Sequence, residues 1–244
     1  MHNAPNYSDK IPKLSFLICL VVLVCCYVIS VYAGFNNREL YHFLLKEDGP
    51  LENIATACVL FAALLFLLAY FKHRHVKNAF FLLFSFALFI LFMEEISWGQ
   101  RIFGLQVPDV LQQTNAQKEI NLHNFKGIYR FINELIYVCL EFYLLGISLL
   151  VLIFNDLNNL LLRYRVPIPS AATAFLVFIN FLMFVYFFQF PLSYYDLLGR
   201  RVVNFTEIYE TGIEIALLFF SLECFHRGTT WLDHDDAMVA NHKY

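Results

Sequence analysis

The sequence predicts an all-α, polytopic transmembrane helical bundle of about six spans, with a long, partly helical loop between spans 3 and 4. Three observations carry that expectation. The 244-residue chain is 59% hydrophobic and 18% aromatic but only 15% charged, whereas soluble domains average about a quarter charged residues. Six stretches reach the roughly 20 apolar residues that a bilayer-crossing helix needs. Glutamates fall inside or at the ends of three of those stretches, which hydrocarbon tolerates only if they face the bundle interior.

The first stretch, Leu14 to Gly34, ends near Ser30-Val31-Tyr32-Ala33, a plausible cleavage sequence. Its apolar run exceeds the ~7 to 15 residues of a leader core, so it reads as a retained helix. The second, Asn53 to Phe71, follows a Gly49-Pro50 turn flanked by Glu47, Asp48 and Glu52. Carboxylates there suit the positive end of a helix dipole, with membership of a buried polar site as the alternative. The third stretch, Ala79 to Trp98, runs into "RIFGLQVPDVLQQTNAQKEINLHNFK", longer than the ~12 to 15 residues usual for a connector and so expected to act as a lid or part of a site. Within it Pro108-Asp109 can open a short helix, and Asn121 and Asn124 are candidate caps for the next one. The fourth, fifth and sixth stretches are Gly127 to Phe154, Ser170 to Phe190 and Thr206 to Cys224. One helical domain over 1–225 is therefore expected, followed by a polar tail over 226–244.

Short basic connections, "KHRHVKN" and Asn155 to Pro169, share a side with Lys10, Lys13 and Arg227. The positive-inside rule makes that side, and both termini, cytoplasmic. A net charge of −3 with no long Lys/Arg cluster gives no field for nucleic acid, and no soluble protein partner can be inferred. The six cysteines contain no Cys-x-x-Cys pair and read as small packing residues. P-loop, Gly-x-Ser-x-Gly, His-Glu-x-x-His and Gly-x-Gly-x-x-Gly patterns are all absent.

The chemistry-bearing residues concentrate on one side. Glu94 and Glu95 end the third stretch, while Glu134 and Glu141 on the fourth and Glu207, Glu210 and Glu214 on the sixth lie toward the same leaflet. At about 100° per residue, Glu207, Glu210 and Glu214 share one face, Arg130, Glu134, Tyr137 and Glu141 a second, and Glu94, Ser97, Trp98 and Arg101 a third. An ionised carboxylate at a helix centre costs about 2.5 to 3.5 kcal/mol on insertion scales. Seven turned to lipid would cost on the order of 20 kcal/mol, more than a domain's net stability. They are expected to line an enclosed chamber with Arg101, Arg130, Arg200 and Arg201 as resident cations.

Within that chamber the candidate catalytic groups are Glu94, Glu95, His123, Glu134 and Glu210. Arg101, Arg130, Arg200, Arg201 and Trp98 are candidate substrate contacts, with an interfacial anchor as the alternative for Trp98. Glu94, Glu207, Glu210 and Glu214 are candidate ligands of a divalent metal, since carboxylates outnumber cations and the excess calls for protons or a bound cation. The bland alternatives are structural ion pairs such as Glu94 with Arg101 or Glu134 with Arg130, and for His123 a hydrogen-bonded loop histidine.

The segments "EDGPLENIATA", "EEISWGQRIFG" and "NAQKEINLHNF", spanning roughly Glu47 to Phe125, resemble a group of bacterial multipass membrane proteins of no assigned activity. The resemblance rests on Glu94, Glu95, Ser97, Trp98, Gln100, Asn121 and His123. It implies a bacterial inner-membrane location. Alkaline-ceramidase-like hydrolases also combine intramembrane acids, serine and histidine, but place paired histidines where this chain has Glu210 and Glu214, so their zinc is not carried over.

Three functions fit these observations. One is a membrane-embedded enzyme, with or without a divalent cation, acting on a lipid or isoprenoid-linked headgroup at the outer leaflet. The second is a proton- or cation-coupled transporter, against which stand the few spans and the lack of a repeat or a centrally broken helix. The third is a non-catalytic membrane assembly partner whose charges only specify packing.

Overall fold

The computed structural model describes residues 10–46, 49–73, 78–115, 118–122, 124–127, 129–189 and 205–227. Among them the chain is helical, with one isolated antiparallel bridge, Asn115 to Phe125. The helices are α1 (Lys10–Asn36), α2 (Arg38–Leu45), α3 (Pro50–Lys72), α4 (Ala79–Glu95), α5 (Gln100–Phe103), α6 (Asp109–Thr114), α7 (Tyr129–Glu141), α8 (Ser148–Ile153), α9 (Asn155–Arg163), α10 (Ala171–Gln189) and α11 (Phe205–Arg227). A π-helical turn, Phe142–Ile147, joins α7 to α8 without a break.

Three segments, Lys13–Gly34, Glu39–Lys72 and Leu135–Ile153, are long and apolar enough to cross a membrane, and Ala171–Tyr186 is a shorter apolar helix. Their outer rows bear large exposed apolar side chains, among them Leu17, Val28, Leu68, Val138, Leu152 and Phe175. Water would penalise such rows and hydrocarbon does not. The 17 residues of α4 fall slightly short of a typical span, and α11 is interrupted by Glu207, Glu210, Glu214 and Glu223.

That acidic helix is the axis of the bundle. Ile208, Ile213, Ile215, Ala216, Leu217, Phe219 and Phe220 on α11 are all buried, because α3, α10, α1 and α7 pack around it. On α3 the buried Ala55, Ala62 and Ala69 recur every seven residues, and such small side chains let helices approach closely where no hydrophobic force drives them together. Gly212 does the same on the α10 side: a Cβ there would lie 2.0 Å from Asn180 Oδ1. Asn180 in turn donates from Nδ2 to the Tyr209 carbonyl at 2.9 Å and accepts from the Tyr27 hydroxyl at 2.9 Å. One amide thus ties α10 to α11 and α1.

Turn chemistry sets several helix ends. Asn37 caps α2 by accepting from the Leu40 amide at 3.0 Å, and Pro50 opens α3 at a position where its missing N–H costs nothing. Asn78 caps α4 through the Phe80 amide and donates to the Arg165 carbonyl at 2.8 Å. At the same end of the bundle Lys72 donates to the Phe225 carbonyl at 2.9 Å with its ammonium 4.3 Å from the Phe225 ring centre.

Candidate functional site

The pair Glu94-Glu95 divides its labour. Successive residues on a helix point about 100° apart, so at the end of α4 the two carboxylates enter different surroundings. Glu94, 8% exposed, accepts from Trp98 Nε1 at 2.6 Å and from the Leu122 amide at 2.6 Å. It pins the segment after α6 back onto α4. Glu95 instead joins the electrostatic neighbourhood of Glu210, Glu214 and Tyr137.

The α4 end departs from its expected course. The helix stops at Glu95, and Ser97, Trp98 and Gly99 take φ of 49°, 54° and 76°. The uninterrupted helix assumed for a shared face of Glu94, Ser97, Trp98 and Arg101 is therefore broken at Ser97, although Trp98 still reaches Glu94 through its indole. This left-handed turn is costly for side-chain-bearing residues and is held by a dense polar lock. Buried Ser97 donates to Glu119 Oε2 at 2.6 Å, and Asn121 Nδ2 donates to the same carboxylate oxygen at 2.8 Å and to Ser97 Oγ at 3.1 Å. Asn115 Nδ2 donates to Asn121 Oδ1 at 2.8 Å, and the Ile120 amide donates to Gln100 Oε1 at 2.7 Å. The expected cap role of Asn121 gives way to this lock, because α7 begins only at Tyr129. Trp98 is 39% exposed beyond its bond to Glu94.

The second constellation is a set of acidic side chains on and around α11. Glu214 is 1% exposed; its Oε1 accepts from the Tyr137 hydroxyl at 2.9 Å, while its Oε2 has no hydrogen-bond partner among the described residues. Glu95, Glu207 and Glu52 act on it electrostatically. Glu210 feels Glu207, Glu214, Glu95 and Glu52. Carboxylates from the start of α3, the end of α4 and the first half of α11 thus act on one another electrostatically, and a tyrosine from α7 touches one of them, Glu214. One turn along α7 from Tyr137, Glu141 accepts from the Tyr209 hydroxyl, so the two members of the predicted α7 stripe whose side chains are described, Tyr137 and Glu141, both meet α11.

Glu52 lies in the first turn of α3, as the helix-dipole reading expects, and also acts electrostatically on Glu210 and Glu214, as the alternative reading expects. Glu223, not singled out, is buried and accepts from Ser170 Oγ at 2.8 Å and Thr173 Oγ1 at 2.7 Å. Its signal was available: an acid nine residues beyond Glu214, opposite two hydroxyl residues opening α10. Between the Glu214 and Glu223 layers, which lie about 13 Å apart at 1.5 Å per residue, Ile215 to Phe220 form an apolar plug about 9 Å long.

Of the other expected site residues, His123, Arg200 and Arg201 lie outside the described residues. Arg101 falls on α5 and Arg130 and Glu134 on α7, with side chains outside the described part. The expected metal set of Glu94, Glu207, Glu210 and Glu214 does not form as one group, since Glu94 is engaged with Trp98 and Leu122. Among the described residues no three His, Cys, Asp or Glu side chains are placed to hold a metal ion. Compared with known proteins, the chain matches no family model, no curated protein and no solved structure.

Proposed function

We propose that this protein is a six-span inner-membrane enzyme that performs acid–base chemistry on a lipid or isoprenoid-linked headgroup, at a chamber near the extracytoplasmic face. The observation that supports the reading is the gathering of Glu52, Glu95, Glu207, Glu210 and Glu214 around Tyr137 at one end of the bundle. Intramembrane acids are expensive and are characteristically functional. Clustered carboxylates in a site sheltered from water suit proton transfer, since neighbouring like charges favour holding a proton between them. The segment between α4 and α7, the long loop between spans 3 and 4 in this reading, is locked over the α4 end and serves as the wall of the site. Glu94 and Trp98 belong to that wall; Glu95 and Glu210 belong to the chemistry.

A transporter needs alternate access from both faces, and the apolar plug from Ile215 to Phe220 favours a one-sided site instead. The test uses purified protein in nanodiscs made from bacterial lipid extract, with products followed by mass spectrometry. A headgroup-modified product should form with the parent chain and fall by about 100-fold or more in E210Q, the size of a lost general acid or base. An unchanged lipid profile with folded parent protein would remove the enzyme reading.

A further inference from the structure

We infer that the cavity between α8, α9 and α10 binds one acyl chain of an anionic glycerophospholipid, with Arg163 beside the phosphate. Ser170 lines this cavity and hydrogen-bonds Glu223, so the site lies across the apolar plug from the acids around Glu214. The inference goes beyond the enzymatic reading and does not depend on it.

The cavity holds about 790 Å³. That lies within the roughly 300 to 1,000 Å³ of small-molecule sites and is far more than a close-packed interior leaves empty. One wall includes Leu145, which belongs to the π-helical turn, a distortion frequent at functional sites. A second wall is the start of α10 from Ser170 to Phe178, about 12 Å at 1.5 Å per residue. Leu149, Leu152, Phe175 and Phe178 line the cavity and are also exposed, so it opens to whatever surrounds the helices. Leu135–Ile153 is long and apolar enough to cross a membrane, and Ala171–Tyr186 is a shorter apolar helix. The surroundings that suit both are hydrocarbon.

The hydroxyls of the wall are already engaged. Ser148 Oγ lies 2.9 Å from the Leu144 carbonyl and 3.0 Å from the Pro169 carbonyl, and Ser170 Oγ donates to Glu223 Oε1 at 2.8 Å. Glu223 itself is buried, accepts from Thr173 as well, and does not line the cavity. The interior therefore suits methylenes, which fill the space with dispersion contacts that a void forfeits. One end differs in chemistry. α9 contributes Asn158 and Leu162 to the lining, the exposed Arg163 follows directly, and the chain returns to the cavity at Ile168. This nine-residue helix is amphipathic, which suits the boundary between headgroups and chains. A guanidinium fork there matches a phosphate, and its charge favours a headgroup of net negative charge. Asp156 stands at the other end of α9, in its first turn.

The test is native mass spectrometry of the purified full chain, delipidated by detergent exchange and titrated with phosphatidylglycerol or with phosphatidylcholine of the same acyl composition. One phosphatidylglycerol should bind per chain. Its apparent Kd should weaken about tenfold or more in A171W, which sets an indole into the cavity from an exposed lining position, as displacement of several buried methylenes implies. L152W, also at an exposed lining position, is the readout if A171W fails to accumulate. L17W, on the exposed row of α1 and outside the cavity lining, should bind as the parent does. R163Q should weaken phosphatidylglycerol about fivefold, the scale of one basic residue at an anionic surface, and leave phosphatidylcholine unchanged. No bound lipid in the parent overturns the inference. So does undiminished binding in the cavity variants, or an equal loss in L17W, since either means annular lipid only. Undiminished phosphatidylglycerol binding in R163Q overturns the headgroup assignment, and tighter binding of palmitate than of phosphatidylglycerol would assign the cavity to a free fatty acid instead.

Discussion

At the scale of single residues, the adjacent glutamates 94 and 95 carry opposite kinds of consequence. Glu94 satisfies an indole N–H and a backbone amide, so its loss strands two donors. E94A should lower stability by about 1 to 3 kcal/mol, the scale of hydrogen bonds to a charged group that are only part-buried, measured by chemical or thermal unfolding in micelles with Trp98 emission reporting release of the loop. Glu214 behaves otherwise, because one of its oxygens accepts only from the Tyr137 hydroxyl and the other has no hydrogen-bond partner among the described residues. E214Q should unfold no earlier than the parent in the same assay while losing the function of the chamber. The two outcomes were not separable in the sequence, where both positions read as acids at the end of one apolar run. What helical spacing does show is that neighbours diverge by about 100°; which of them meets the loop depends on the left-handed turn at Ser97 to Gly99, and no pattern of polar residues announces that turn beyond Gly99 itself.

Among the elements, α11 was legible in its chemistry and obscure in its position. The spacing of Glu207, Glu210 and Glu214 places them on one face, and connectivity alone brings that face to the leaflet where α4 ends. That α11 is the axis of the bundle follows from contacts the sequence hides: Gly212 against Asn180, and the alanine row of α3. G212A should therefore be among the most damaging small substitutions, since its Cβ would sit 2.0 Å from Asn180 Oδ1 and 2.4 Å from Asn180 Cγ. Overpacking costs about 1 to 3 kcal/mol or more; the loss is checked by thermal unfolding, and N180G in the same chain should restore part of it by vacating the space. The lock between α4 and α7 was the least legible element. Asn115, Glu119 and Asn121 are ordinary loop residues by composition, and their bonds to one another and to Ser97 require a fold-back that depends on long-range packing.

For the whole molecule, the exposed apolar rows and the sheltered acids describe one solution to one constraint: hydrocarbon outside, polar groups inside. The layering along α11, acids at Glu207 to Glu214, then the plug to Phe220, then Glu223 with Ser170 and Thr173, predicts access from one face only. In sealed vesicles of a chain whose native cysteines are replaced, a membrane-impermeant maleimide should modify E207C from one side and A216C from neither; labelling of A216C would indicate a path through the plug. The most direct test of the shared chamber is a double-mutant cycle on unfolding stability between Glu95 on α4 and Glu214 on α11. Gathered carboxylates predict coupling of about 0.5 to 3 kcal/mol, with the second glutamine contributing less relief than the first. Additivity within about 0.5 kcal/mol would show that the two acids do not share a site and would contradict the account.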